Sequence, residues 1–137
     1  IECHDAGVEE AIMLTADGYV AECTGDNLFI VRDGEIWTAP VEIGVLPGVT
    51  RAAVFDICAE NGISIKEKTF TLDDLLASDE VFLTGTAAEV VPVKSVDGRP
   101  IGEGGAGRMT RRIMDAFNEL TAYDGTPVYE KASAREN

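Results

Sequence analysis

The chain has 137 residues, enough for one domain with a real core, since domains of this size bury roughly two-thirds of their unfolded surface. Its 25 acidic and 11 basic residues leave a formal net charge of −14, and without a positive stripe to meet a phosphate backbone this excludes nucleic-acid binding. No run approaches the ~18 apolar residues of a membrane helix, and the opening Ile1-Glu2-Cys3-His4-Asp5 has neither the basic start nor the apolar core of a signal peptide.

The chain opens on Ile1 rather than methionine and reads as processed, trimmed or partial. Glu2 to Val8 reads as the end of a helix stopped by Gly7, followed by an extended run through Ala11-Ile12-Met13-Leu14. Cys3, His4 and Asp5 do not make a catalytic triad, because neighbours on one short segment point in different directions. His4 is the only histidine, and three cysteines (Cys3, Cys23, Cys58) without metal-ligand spacing read as reduced cytoplasmic thiols, Cys58 as a small buried hydrophobe.

Asp17-Gly18, Asp33-Gly34 and Asp97-Gly98 read as tight hairpin turns, in which both central residues take positive φ. They predict three antiparallel pairs: Ile12–Thr15 with Tyr19–Glu22, Leu28–Val31 with Glu35–Thr38, and Val90–Val96 with Arg99–Ile101. Between the first two lies Glu22-Cys23-Thr24-Gly25-Asp26-Asn27, a polar connection held by strands, where sites tend to sit. Leu46-Pro47-Gly48-Val49-Thr50-Arg51 then opens a helix with apolar positions Val49, Ala53, Val54, Ile57 and Cys58, ended by Asn61-Gly62. A helix start offers unpaired N–H groups and a positive dipole end, so this hexapeptide serves either as a phosphate seat or merely as the cap of its own helix.

Ile63 to Phe70 alternates like a half-buried strand, and Thr71 with Asp74 starts a short helix faced by Leu72, Leu75 and Leu76. Glu80 to Thr84 is a strand entering Gly85-Thr86-Ala87-Ala88, whose small residues admit either a ligand or a close strand crossing. Gly102 to Gly107 lacks the lysine of a phosphate loop, having Arg108-Met109 instead. Arg108, Arg111 and Arg112 read as a solvated face, and Met109, Ile113, Phe117 and Leu120 as the core face of a last helix. Tyr123 to Asn137 is a polar tail.

In order and content, four motifs resemble the fold type IV aminotransferases: Glu22 through Phe29, Leu46 through Arg51, Asp79 through Phe82, and Gly85 through Val93 with Asp97-Gly98-Arg99 and Gly102. The form Gly85-Thr86-Ala87-Ala88-Glu89 is similar to the branched-chain amino acid aminotransferases more than to the D-amino acid aminotransferases or aminodeoxychorismate lyases, which stay as alternatives. The resemblance implies an α/β fold, the large cofactor-binding domain over residues 1–122, incomplete at its N-terminus, with a mixed, partly barrel-like sheet and helices outside. It implies pyridoxal 5′-phosphate as cofactor and amino-group transfer between leucine, isoleucine or valine and 2-oxoglutarate.

By the same resemblance, Glu22 faces the pyridine nitrogen. Gly48, Val49, Thr50, Gly85 and Thr86 hold the phosphate, Leu46 packs on the ring, and Gly25, Thr86 and Ala87 line the substrate pocket. The family's Schiff-base lysine falls before Ile1, and Lys66, Lys68, Lys94 and Lys131 do not match its position. The resemblance therefore implies a C-terminal portion, inactive alone, that needs the N-terminal part of its polypeptide and belongs to a homo-oligomer. A fragment that only binds a phosphate ligand is the remaining alternative.

Overall fold

The computed structural model describes residues 2–5, 9–85 and 89–124, with side chains over 10–85 and 89–120. Among these residues nine strands form one sheet: β1 (Glu2–Asp5), β2 (Glu9–Leu14), β3 (Val20–Cys23), β4 (Asn27–Arg32), β5 (Glu35–Thr38), β6 (Ile65–Glu67), β7 (Glu80–Gly85), β8 (Glu89–Val96) and β9 (Arg99–Pro100). Their order is β3-β2-β1-β8-β7-β4-β5-β6, with β9 on β8. All neighbours are antiparallel except β5 and β6, so the sheet is mixed as expected, and it is not closed into a barrel. The helices are α1 (Val49–Asn61), α2 (Leu72–Leu76) and α3 (Arg108–Asp124), with a 3-10 turn at Val41–Ile43.

β4 and β7 sit mid-sheet with nearly every side chain buried, and alternation sends their residues to two apolar layers. Leu28, Ile30, Val81 and Leu83 join Val20, Phe70 and Leu75 of α2 on one face. Phe29, Val31 and Phe82 join Val54, Ile57 and Cys58 of α1 and Ile113 and Phe117 of α3 on the other. Phe29 and Phe82, partners across the strands, stack with ring centroids 4.8 Å apart. Cys58 is fully buried there, and desolvation pushes its thiol up to about 11.

All three predicted hairpins form. Two turns have positive φ at both central residues, Asp33-Gly34 and Asp97-Gly98. The first differs. Only Gly18 is left-handed there, with Gly18 N–H donating to Thr15 O and Thr15 N–H to Tyr19 O, a three-residue loop with a glycine bulge.

Four further expectations change. Glu2–Asp5 is a strand, not a helix end, because the slot between β2 and β8 satisfies its backbone on both sides, which no isolated turn of helix can do. Gly7, the expected stop, lies outside the described residues. The strand read over residues 63–70 shrinks to Ile65–Glu67 at the sheet edge, where Lys66 and Glu67 stay exposed; Phe70 turns away to bury, its carbonyl accepting from Val20 N–H on β3. Val49 is 78% exposed, so the core stripe of α1 begins one turn later. α3 carries the expected core face and runs into the segment read as a tail; the remainder, residues 125–137, lies outside the described residues.

α2 is too short to persist on propensity and depends on its capping box. Thr71 Oγ1 accepts from Asp74 N–H at 3.2 Å, and the Asp74 carboxylate accepts from Thr71 N–H at 3.0 Å. The Thr71 amide, chiefly, and Arg32 hold the Asp74 carboxyl below its ordinary value. Thr71→Ala should cost about 1 kcal/mol in chemical denaturation. Because the folded value of Asp74 is depressed, its share of stability is complete above the ordinary carboxylate range and is lost as pH falls through the folded value; alanine keeps the residue-71 amide that chiefly lowers it, so a denaturation series in acid should show parent and variant losing stability nearly in parallel.

Candidate functional site

The two residues of the Thr24-Gly25 turn fold β3 back onto β4: Cys23 and Asp26 exchange backbone hydrogen bonds of 2.9 and 3.1 Å, with Gly25 at φ +83°. That turn brings Glu22 and Asn27 to the same end of the sheet. Glu22 Oε1 accepts from Asn27 Nδ2 at 3.2 Å and from Leu46 N–H at 3.1 Å, and Asn27 Nδ2 also donates to Leu46 O at 2.8 Å. Leu46 leads into Gly48, the N-cap of α1, so one set of bonds ties a carboxylate to the approach to a helix.

At this junction lies a cleft of about 150 Å³ lined by Glu22, Gly25, Leu46, Gly48, Val49, Thr50 and Gly85, together with Asp26, Asn27, Arg51 and Thr84. Every described residue singled out from the sequence as a site candidate is in its wall. Thr86 and Ala87 lie outside the described residues. No lysine is among the described lining residues.

The cleft brings together two elements of different chemistry. One is the Thr24-Gly25 turn with the flanking carboxylates of Glu22 and Asp26. The other is the start of α1, with no side-chain cap on its N-cap Gly48, so its first amides and its positive dipole end have no anionic partner from this chain's N-cap. Thr50 is buried beside them, while Leu46 and Val49 stand 68% and 78% exposed at the rim.

The start of α3 shows what an occupied helix start looks like here. The buried Glu80 carboxylate of β7 accepts from Met109 N–H at 3.1 Å, Thr110 N–H at 2.7 Å and Thr110 Oγ1 at 2.6 Å. The glycine-rich connection before α3 therefore has its anion already, supplied from within the chain.

Close packing accounts for two of the glycines. A Cβ on Gly85 would collide with Asp26 Oδ1, so the small residue serves a close crossing of the Gly25-Asp26 turn over the end of β7. A Cβ on Gly48 would meet Asn27 Oδ1 at 2.7 Å.

Sequence reasoning did not single out Asn27, Asp26, Arg51 or Thr84 for the site. Asn27 had a signal: taken as a two-residue turn, Thr24-Gly25 places Glu22 and Asn27 opposite each other. Arg51 did not. It is 7% exposed, donates from Nη2 to Ala39 O at 3.0 Å, approaches Glu67 at 3.5 Å and lies over the Phe55 ring, all contacts distant in sequence or set by helix packing. The Thr84 hydroxyl, 1% exposed and cross-strand from Asn27, has no hydrogen-bond partner among the described residues, and neither does Arg51 Nε. Buried polar groups left this way beside a cleft are where a ligand or water completes the bonding.

The model of the amino-transferase class IV family matches residues 1–96. The chain is 45% identical over 116 residues to the branched-chain-amino-acid aminotransferase of Escherichia coli (strain K12), covering 85% of this chain and 38% of that protein. It is 44% identical over 121 residues to the Pseudomonas aeruginosa protein of the same name, covering 88% and 39%. Among solved structures it is similar to the branched-chain amino acid aminotransferase from Thermobaculum terrenum in its PLP form, at a TM-score of 0.78 and 34% identity, covering 81% of this chain and 36% of that one. The chain thus spans about two-fifths of the length of these relatives.

Proposed function

We propose, from the premise that the chain belongs to the amino-transferase class IV family, that it is the cofactor-binding portion of a branched-chain amino acid aminotransferase and that its cleft takes pyridoxal 5′-phosphate. One observation carries this reading: a single cleft whose wall holds both the carboxylate of Glu22 and an uncapped, buried-threonine helix start. That pair complements a ligand with a protonated ring nitrogen at one end and a phosphate at the other.

When bound, pyridoxal 5′-phosphate supplies an electron sink for the charge that develops at the α-carbon of an amino acid. Glu22 holds the proton on the ring nitrogen. The amides of Val49 and Thr50 and the Thr50 hydroxyl receive the phosphate, with Gly48 and, on the family resemblance, Gly85 and Thr86 as its further partners. Leu46, exposed at the rim, packs on the ring, and Gly25, Thr86 and Ala87 border the amino acid.

The relatives' names support branched-chain amino acids as substrates of the whole protein; the family resemblance adds 2-oxoglutarate as the amino acceptor from leucine, isoleucine or valine. At about 150 Å³ the cleft is smaller than the ~300–1,000 Å³ of a complete small-ligand pocket, which fits a site whose further walls come from the rest of the polypeptide; a homo-oligomer belongs to the same family reading. No helix among the described residues is long and apolar enough to cross a membrane. Buried thiols at Cys23 and Cys58 support a cytoplasmic location.

The test is a titration of the full chain with pyridoxamine 5′-phosphate, which needs no lysine, beside pyridoxamine and inorganic phosphate. Saturable binding that inorganic phosphate competes away, and that weakens at least about tenfold without the phosphate group, is the expected result. Equal affinity for pyridoxamine, or no saturable binding by a folded chain, would overturn the reading.

A further inference from the structure

We propose that Asn27 is a positioning residue, which sets the orientation of the Glu22 carboxylate relative to the start of α1; this rests on the reading of the cleft as a pyridoxal-phosphate site. A glutamate side chain has three rotatable bonds, and Glu22 is only half-buried, so packing alone leaves its carboxylate several orientations. Two hydrogen bonds reduce that freedom, and both end on the same oxygen, Oε1: one from Asn27 Nδ2 and one from Leu46 N–H. With Oε1 committed to the wall, Oε2 is the oxygen left to meet a ligand.

Asn27 is suited to the task because it is itself fixed. It is 6% exposed at the start of β4, paired with Thr84 of β7, and its second Nδ2 hydrogen goes to Leu46 O. Its Oδ1 lies against Gly48, where a single added methyl carbon would come within 2.7 Å. One buried amide therefore touches the carboxylate, the peptide that leads into α1 and the N-cap of α1. The separation between the Glu22 carboxylate and the start of α1 is set through this side chain, which spares a two-ended ligand the cost of ordering them on binding.

A residue that acts through another should lose its effect when that other is disabled, and a double-mutant cycle reads this directly. Affinity for pyridoxamine 5′-phosphate would be measured for the full chain, Asn27→Ala, Glu22→Gln and the double variant, with thermal melting of each as a check on folding. Asn27→Ala should weaken binding about tenfold alone and less than about twofold when added to Glu22→Gln. The absorption of the bound ligand should also shift toward that of the unprotonated ring in both single variants, a change that a merely structural role would not produce. Should Asn27→Ala fail to fold, Asn27→Leu keeps the volume, removes the donor without adding a charge beside Glu22 and runs the same cycle.

Equal losses in both backgrounds, or an unchanged affinity in a folded Asn27 variant while Glu22→Gln binds more weakly, would overturn the role of Asn27 and leave the cofactor reading standing. A folded parent chain that binds no pyridoxamine 5′-phosphate would overturn both.

Discussion

Glu22→Ala will weaken pyridoxamine 5′-phosphate binding by about 10- to 100-fold, the range expected when a charge-assisted hydrogen bond to a ligand is removed. The effect on folding will be smaller. Glu22 is half-buried at the end of β3, and the Leu46 N–H it releases lies where water can replace it. Thermal melting in parallel with the titration separates the two quantities: a variant that melts close to the parent and binds weakly is the expected outcome. A variant that binds as tightly as the parent would remove Glu22 from the site. The control is inorganic phosphate, which carries no ring nitrogen and should bind parent and variant alike.

Glu80→Ala will have the largest effect on stability, about 3 kcal/mol, read as a fall of roughly 10 °C in melting temperature. The carboxylate is 9% exposed, and all three of its hydrogen bonds go to the first turn of α3. Its removal leaves the buried Thr110 amide and hydroxyl without their acceptor, takes the negative charge from the positive end of a 17-residue helix and opens space beneath Gly107. Glu80→Gln keeps an acceptor and should lose only part of this. Loss of equal size in the two variants would mean that the charge, and not the bonding, sets the stability. Ligand affinity at the cleft should be little changed by Glu80→Gln, since α3 begins outside the cleft wall.

Much of the fold was legible in the sequence because it follows from local rules. Asp33-Gly34 and Asp97-Gly98 select turns that only residues tolerant of positive φ can make, Thr71 with Asp74 states a helix start, and Gly62 ends α1 in the left-handed conformation at φ +67°. The same holds for Ile113 and Phe117, whose helical spacing faced the core as read. Long-range pairing was less legible. Glu2–Asp5 became a strand because two partners flank it, and Lys66 and Glu67 stayed in water because β6 is an edge, neither of which a local pattern encodes. Gly85 was open to two explanations until the Gly25-Asp26 turn was seen against it.

By itself, then, the sequence determined the hairpins, the limits of α1 and the start of α2, all properties carried by residues near one another in the chain, and its motifs named the segments that meet at the cleft. Only the tertiary structure decided what those segments do to each other. Glu22 and Leu46 lie 24 residues apart yet share a hydrogen bond, while Glu80 and Thr110, 30 apart, fill a helix start that the glycines before it leave open. The physical reason is that a carboxylate's role depends on which donors reach it, and across a sheet of this order those donors come from remote strands and loops.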